Sequence, residues 1–224
     1  MRTRLICTTL LALFGWLGVA TAQERSISVG ARGGYNLALG GYAAISLEGD
    51  YDLTEHWTVS GGALWSTIGR TAVELRRTYK LPTEWGSVEL GSILHYSRLA
   101  TYNNLAAGVG VGLSSSVVFG RFGYYYRAFG AEGGHISEPF NLFYELGFHL
   151  LPKAERCDLQ LVFTNCELLE LERHYQPSWI LRSRWSLSER LGLVVEGNYK
   201  SAGMFHMSTN FYQLSIKAGL CYNW

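Results

Sequence analysis

Two His-x-Ser triplets, His135-Ile136-Ser137 and His206-Met207-Ser208, hold the residues best suited to covalent chemistry. On a strand, side chains two apart project from one face, so an imidazole would lie beside a hydroxyl that it could deprotonate. Such a pair needs a third group to orient the imidazole. No Asp or Glu follows Ser208, so His206 has no acidic partner downstream, and the competing assignment puts His206 and Ser208 in a polar loop or at a strand end. His135-Ile136-Ser137-Glu138 has the composition of an external loop. There is no Gly-Lys-Ser/Thr phosphate loop, no Cys-x-x-Cys and no His-Glu-x-x-His; Gly108-Val-Gly-Val-Gly112 lacks the helix that a nucleotide loop requires. The sequence therefore assigns no metal and no cofactor. Glu167, Glu170, Glu172, Arg173 and His174 form a charged cluster that could touch divalent ions or lipopolysaccharide, and that reads as a solvated strand end.

The elements that must position these residues are strands. Reading back from the C-terminus, Trp224, Tyr222, Leu220, Ala218, Ile216, Leu214 and Tyr212 share one face, against Asn223, Cys221, Gly219, Lys217, Ser215 and Gln213 on the other. The same period of two runs through Ile27 to Leu37, Ile45 to Tyr51, Phe140 to Leu150 and Leu191 to Tyr199. At the other end, Arg2 and Arg4 precede the uncharged apolar run Leu5 to Val19, and Ala20-Thr21-Ala22 is a small-x-small cleavage site. This predicts a leader over 1–22 and a mature domain over 23–224. The apolar run is too short for a spanning helix. Without Arg2 and Arg4 the chain keeps 17 basic against 18 acidic residues, a balance that speaks against nucleic acid as a partner. A mean hydropathy of +0.04 is wrong for a helical membrane protein, but it is what alternating lipid-facing and lumen-facing residues average to.

The last strand resembles the C-terminal strand of bacterial outer-membrane β-barrel proteins. That resemblance implies bacterial outer-membrane localisation, contact with outer-membrane lipid, and recognition of the strand by the barrel assembly machinery. Polar connections at Leu53 to His56, Pro82 to Glu84, Gly120, Pro152 to Arg156 and Leu187 to Arg190 recur every thirty to thirty-six residues or so, each interval holding two strands. Second connections fall near Leu39 to Gly41, Ser66 to Arg70, Thr101 to Asn104, Gly130 to Glu138, His174 to Ser178 and Ser201 to Phe205. The fold expected is an all-β, antiparallel up-and-down transmembrane barrel of about twelve strands, with ten as the alternative count. Short connections predict no loop folded into the lumen as a constriction.

Alternation alone does not say which face is inside, since a soluble barrel has the same period. Trp57 and Trp65 share one apolar face eight residues apart, about 26 Å along a strand, close to the height of a lipid band flanked by aromatic girdles. With apolar residues outward, the lumen would receive Arg32, Glu48, Asp50, Glu74, Arg76, Arg127, Glu145, His149, Arg182, Arg184, Glu196, Lys200 and Lys217, a balanced set expected to interlock as ion pairs. Ala106, Gly108, Gly110, Gly112, Ser114 and Ser116 would form a smooth inner wall, expected to be covered by long Arg and Glu side chains. Arg77 falls on the lipid face between Leu75 and Tyr79, which calls for snorkelling or a register-shifting bulge. Cys157 and Cys166, if joined by one strand, lie about 30 Å apart and cannot form a disulfide.

These readings converge on a small outer-membrane barrel with a structural or passive-channel role. A soluble periplasmic barrel that binds a ligand is one alternative. Another is an interfacial lipid hydrolase: lipid A deacylases and outer-membrane phospholipase A carry a His-x-Ser-Asn stretch that Phe205-His206-Met207-Ser208 resembles in its His and Ser. Here Thr209 stands in the Asn position and Asn210 comes one residue late.

Overall fold

The computed structural model describes residues 25–131, 134–152, 156–171, 176–201 and 211–224. The expected leader, His206 and Ser208 lie outside them. In chain order the strands are β1 (Arg25–Asn36), β2 (Gly40–Asp52), β3 (Trp57–Ser66), β4 (Arg70–Thr83), β5 (Gly86–Leu99), β6 (Tyr102–Ser114), β7 (Val118–Ala131), β8 (Gly134–His149), β9 (Cys157–Thr164), two short strands β10 (Cys166–Glu167) and β11 (Glu170–Leu171), then β12 (Ser178–Ser186), β13 (Leu191–Ser201) and β14 (Phe211–Asn223). All but β10 and β11 form one closed antiparallel barrel of twelve strands. Its seam runs from Ser26 opposite Asn223 to Asn36 opposite Gln213. β9 pairs directly with β12, so β10 and β11 are an excursion from the wall.

Alternation sets the two faces. Val109 and Ile216 are 67% and 65% exposed, whereas their neighbours in the pattern, Ala106 and Ser215, are buried. In a monomer this outer apolar surface requires lipid, while Glu74, Glu196 and Lys200 are enclosed. The barrel thus turns its polar face inward, the reverse of the soluble alternative. One end carries Arg25 and Trp224, joined by a Trp224 N–H bond to the Arg25 carbonyl, and is called the terminal mouth; the other is the distal mouth.

Several boundaries differ from those expected. Gly120 is inside β7, opposite Leu113 and Leu146; the turn lies earlier, where the Ser115 hydroxyl accepts the Val117 and Val118 N–H groups. Ser115 can tie the turn by a side-chain bond, whereas Gly120 sits where an added Cβ would be 3.0 Å from the Glu145 carbonyl. Most of the expected connection from Gly130 to Glu138 belongs instead to β7, which runs to Ala131, and to β8, which begins at Gly134. A β-bulge follows, with Pro139 and Phe140 together opposite Tyr126; Pro139 has no N–H to offer the ladder there. Arg77 needs no bulge: Val59–Arg77 and Trp57–Tyr79 pair in unbroken register, and the guanidinium lies 4.0 Å over the Trp57 ring.

The smooth wall is covered by rings rather than by Arg and Glu. Gly110 faces Gly123 across the ladder, and an added Cβ on either would lie 2.5 Å from Phe143 Cζ. Tyr125 and Phe143 pack there with Ile93 and Ala106. Replacing Gly123 by Ala should therefore overpack this wall, costing about 1–3 kcal/mol. The check is the urea unfolding midpoint of the detergent-refolded barrel. An unshifted midpoint would show that Phe143 is not seated on these glycines.

Candidate functional site

The lumen is not free of loops. The chain leaves the wall after Thr164 and turns inward. Asn165 makes this possible by standing in for a strand residue: its Nδ2 donates to the Leu142 carbonyl at 2.9 Å and its Oδ1 accepts the Tyr144 N–H at 2.8 Å. The Thr164 hydroxyl donates to the Tyr144 carbonyl and accepts the Cys166 N–H, both at 2.9 Å. The edge of β8 thus stays satisfied where its neighbour departs. The segment Cys166 to Leu171 then forms a miniature hairpin in the lumen, with Cys166, Glu167, Leu169, Glu170 and Leu171 all buried. This overturns the expectation that no loop folds into the lumen, and it ends the strand that was to run on through Cys166. Cys157, Cys166 and Cys221 are all free thiols.

The hairpin is gripped on both flanks. Leu169 packs against Ala44, Leu64 and Ala72, while Cys166 and Leu171 join the Ile93, Tyr125 and Phe143 cluster. Leu169 has φ +69°, a conformation that costs a non-glycine residue about 1–2 kcal/mol. It is held by its own N–H, which donates to Glu74 Oε2 at 3.0 Å, and by Arg70, which donates to its carbonyl at 3.3 Å.

The hairpin's two carboxylates meet the wall's cations. Glu170 lies 2.9 Å from Arg32, 3.2 Å from Arg70 and 3.1 Å from Lys200. Glu167 accepts from Arg32 and from Asn198, both at 2.7 Å. The Arg76 Nε donates to Glu74 and its Nη2 to the Cys166 carbonyl at 3.0 Å, and the other Glu74 oxygen meets His95 Nδ1 at 2.8 Å. Wall-to-wall pairs continue toward the terminal mouth: Lys217–Glu48 at 2.6 Å, Arg182–Glu196 at 2.6 Å, Arg121–Glu145 at 3.1 Å and His149–Asp158 at 2.8 Å. Asp50 accepts from the Ser26 hydroxyl at 3.3 Å. Among the described residues, Arg127 and Arg184 make no ion pair. Sequence reasoning missed Arg70, Arg121, Asn198, Glu167 and Glu170 as members of this network. The signal present was Leu168, Leu169 and Leu171 interleaved with the two glutamates, an amphipathic stretch that an external loop does not need.

For the hydrolase alternative, the described residues supply no arrangement. Ser137 bonds the outward Tyr126 hydroxyl at 3.0 Å, and no group of three His, Cys, Asp or Glu that could hold a metal occurs among them.

No protein-family model matches the chain, and no curated protein matches it in sequence. Solved structures do share its fold. A NanC porin aligns with TM-score 0.54 at 13% identity, covering 87% of this chain and 98% of the porin. A KdgM porin in complex with disordered oligogalacturonate aligns with TM-score 0.52 at 12% identity, covering 88% and 98%. The translocator domain of the autotransporter NalP from Neisseria meningitidis aligns with TM-score 0.53 at 12% identity, covering 99% and 95%. The fold is that of outer-membrane β-barrels, and the apolar outer face agrees with that location.

Glu170→Gln takes this carboxylate from Arg70 and Lys200, while Arg32 keeps Glu167. Breaking a buried pair typically costs about 3–5 kcal/mol, so the variant should lose much of the hairpin's anchoring. A Glu-specific protease should then cut after Glu167 in the variant and not in the native barrel, as read by mass spectrometry. Equal resistance would mean that the ionic contacts do not hold the hairpin.

Proposed function

We propose that this chain is a passive outer-membrane barrel whose path for small polar solutes is narrowed by the Cys166–Leu171 hairpin. The observation that carries this reading is Glu170, one side chain within ion-pair distance of cations on β1, β4 and β13, which sets the hairpin across the lumen rather than along one wall. The porin fold supports it, as does the run of paired charges from hairpin to terminal mouth: a polar path with both signs in register passes water and small solutes with little preference for either ion. The segment 1–22 acts as the export leader in this account, and the apolar-periodic β14 as the strand read by the assembly machinery. The porin reading is favoured over the translocator likeness because the hairpin belongs to the barrel's own wall, between β9 and β12.

Planar-bilayer recording tests the reading. The native barrel should conduct weakly and with little ion selectivity. A variant in which a short Gly/Ser link replaces residues 166–171 should conduct several-fold more, because β9 and β12 still pair. Glu170→Gln, which keeps the chain length, should show intermediate or flickering openings. Native conductance equal to that of the deletion variant would remove the hairpin from any channel role. Cleavage of phospholipid or lipid A acyl esters, abolished by His206→Ala and Ser208→Ala, would replace the channel by a hydrolase.

A further inference from the structure

Above the hairpin, on the distal side, the lumen widens into a vestibule of about 280 Å³ floored by Glu170 and Leu171. Among the described residues its charged lining is four arginines, Arg32, Arg70, Arg98 and Arg127, against Glu170 alone. Glu170 already meets Arg32, Arg70 and Lys200, so among the described residues the lining carries an excess of positive charge.

Arg127 is the odd member. The enclosed arginines deeper in the barrel, Arg76, Arg121 and Arg182, each hold a carboxylate. Arg127 is half-buried, and its Nε donates to the neutral Asn104 Oδ1 at 2.8 Å. Its Cζ lies 5.4 Å from the Phe129 ring. Glu138 stands opposite it in the ladder, yet the two make no ion pair. Arg98, exposed at the rim, donates to the Ala100 carbonyl at 3.1 Å. A partly desolvated guanidinium without a counter-charge is costly unless something supplies one. Its fork has donors left that suit a planar or tetrahedral oxyanion. Around it the vestibule offers the amides of Asn36, Asn104 and Gln213 and the aromatic Phe129. The volume lies just under the range of about 300–1,000 Å³ usual for small-molecule pockets.

We propose that the vestibule is a binding site for a small hydroxylated anion, a sugar acid or sugar phosphate. The oxyanion seats on Arg127, and the hydroxyls meet the amide rim. The site is read from the vestibule alone and stands whether or not the barrel conducts.

Titration calorimetry on the detergent-solubilised barrel, with glucuronate, glucose 6-phosphate and glucose as probes, tests this. At least one of the two anions should bind, more weakly as salt rises, and glucose should not. Which anion binds assigns the oxyanion as carboxylate or phosphate. Arg127→Gln should weaken that binding about tenfold or more, the loss expected for a charge-assisted hydrogen bond. Arg127→Lys should recover part of it, and Arg184→Gln, at the terminal mouth, should leave it unchanged. Arg127 breaks no ion pair when replaced, and retained resistance to unfolding in unheated SDS shows that the variant barrel is intact. Equal binding of glucose, no binding of either anion, or native affinity in intact Arg127→Gln would overturn the proposal.

Discussion

A closed barrel cannot leave charge unpaired where water is scarce, and that constraint shapes this lumen. Arg32, Arg76 and Lys200 are enclosed by the wall, with Arg70 beside them. The wall's own carboxylates, Glu74 and Glu196, serve Arg76 and Arg182. Arg32, Arg70 and Lys200 meet carboxylates on the hairpin, since the chain bends part of the connection between β9 and β12 inward to deliver Glu167 and Glu170. The hairpin is therefore a counter-charge as much as an obstruction. Removing it would take a carboxylate from cations on three separate strands, which ties the barrel's stability to the state of its lumen.

The apolar contacts decide where the counter-charge lands. The glycine run on β6 leaves room for Phe143 and Tyr125, and these rings with Ile93 make an inner apolar surface that receives Cys166 and Leu171. On the facing side Ala44, Leu64 and Ala72 receive Leu169. Small residues on the wall and leucines on the hairpin fit one another, and that fit supports a backbone conformation at Leu169 that leucine seldom adopts. Outside, the same alternation presents Val109, Ile216 and their like to lipid, and Arg77 is accommodated by lying back over Trp57.

The barrel was legible in the sequence because its signal is periodic: two-residue alternation in β1, β2, β8, β13 and β14, turn residues between, and an aromatic last residue. Twelve strands follow from that spacing. Gly120 misled because a glycine beside an aromatic marks a turn and a close strand approach equally well. The hairpin was not legible as such. Glu167 and Glu170 look like solvated loop charges until β1 and β13 are brought one strand apart by closure of the barrel, and Arg32, 135 residues from Glu167, carries no sequence mark of its partner. The three leucines among those glutamates were the available clue. Arg127 was legible as an inward residue, but that it keeps no carboxylate is a fact of register and side-chain direction, which only the folded chain supplies.

The constricted lumen and its charge balance both require the hairpin to be docked inside the barrel, and Cys166 reports this directly. Its side chain is fully enclosed, with Arg76 Nη2 3.7 Å from the sulfur, whereas Cys157 and Cys221 are half-buried. In a chain with Cys157 and Cys221 replaced by Ser, a water-soluble maleimide should fail to label Cys166 in the folded barrel and should label it fully once the barrel is unfolded in urea. Prompt labelling of Cys166 in the folded barrel would contradict a docked hairpin, and with it both the constricted lumen and the charge balance described for it.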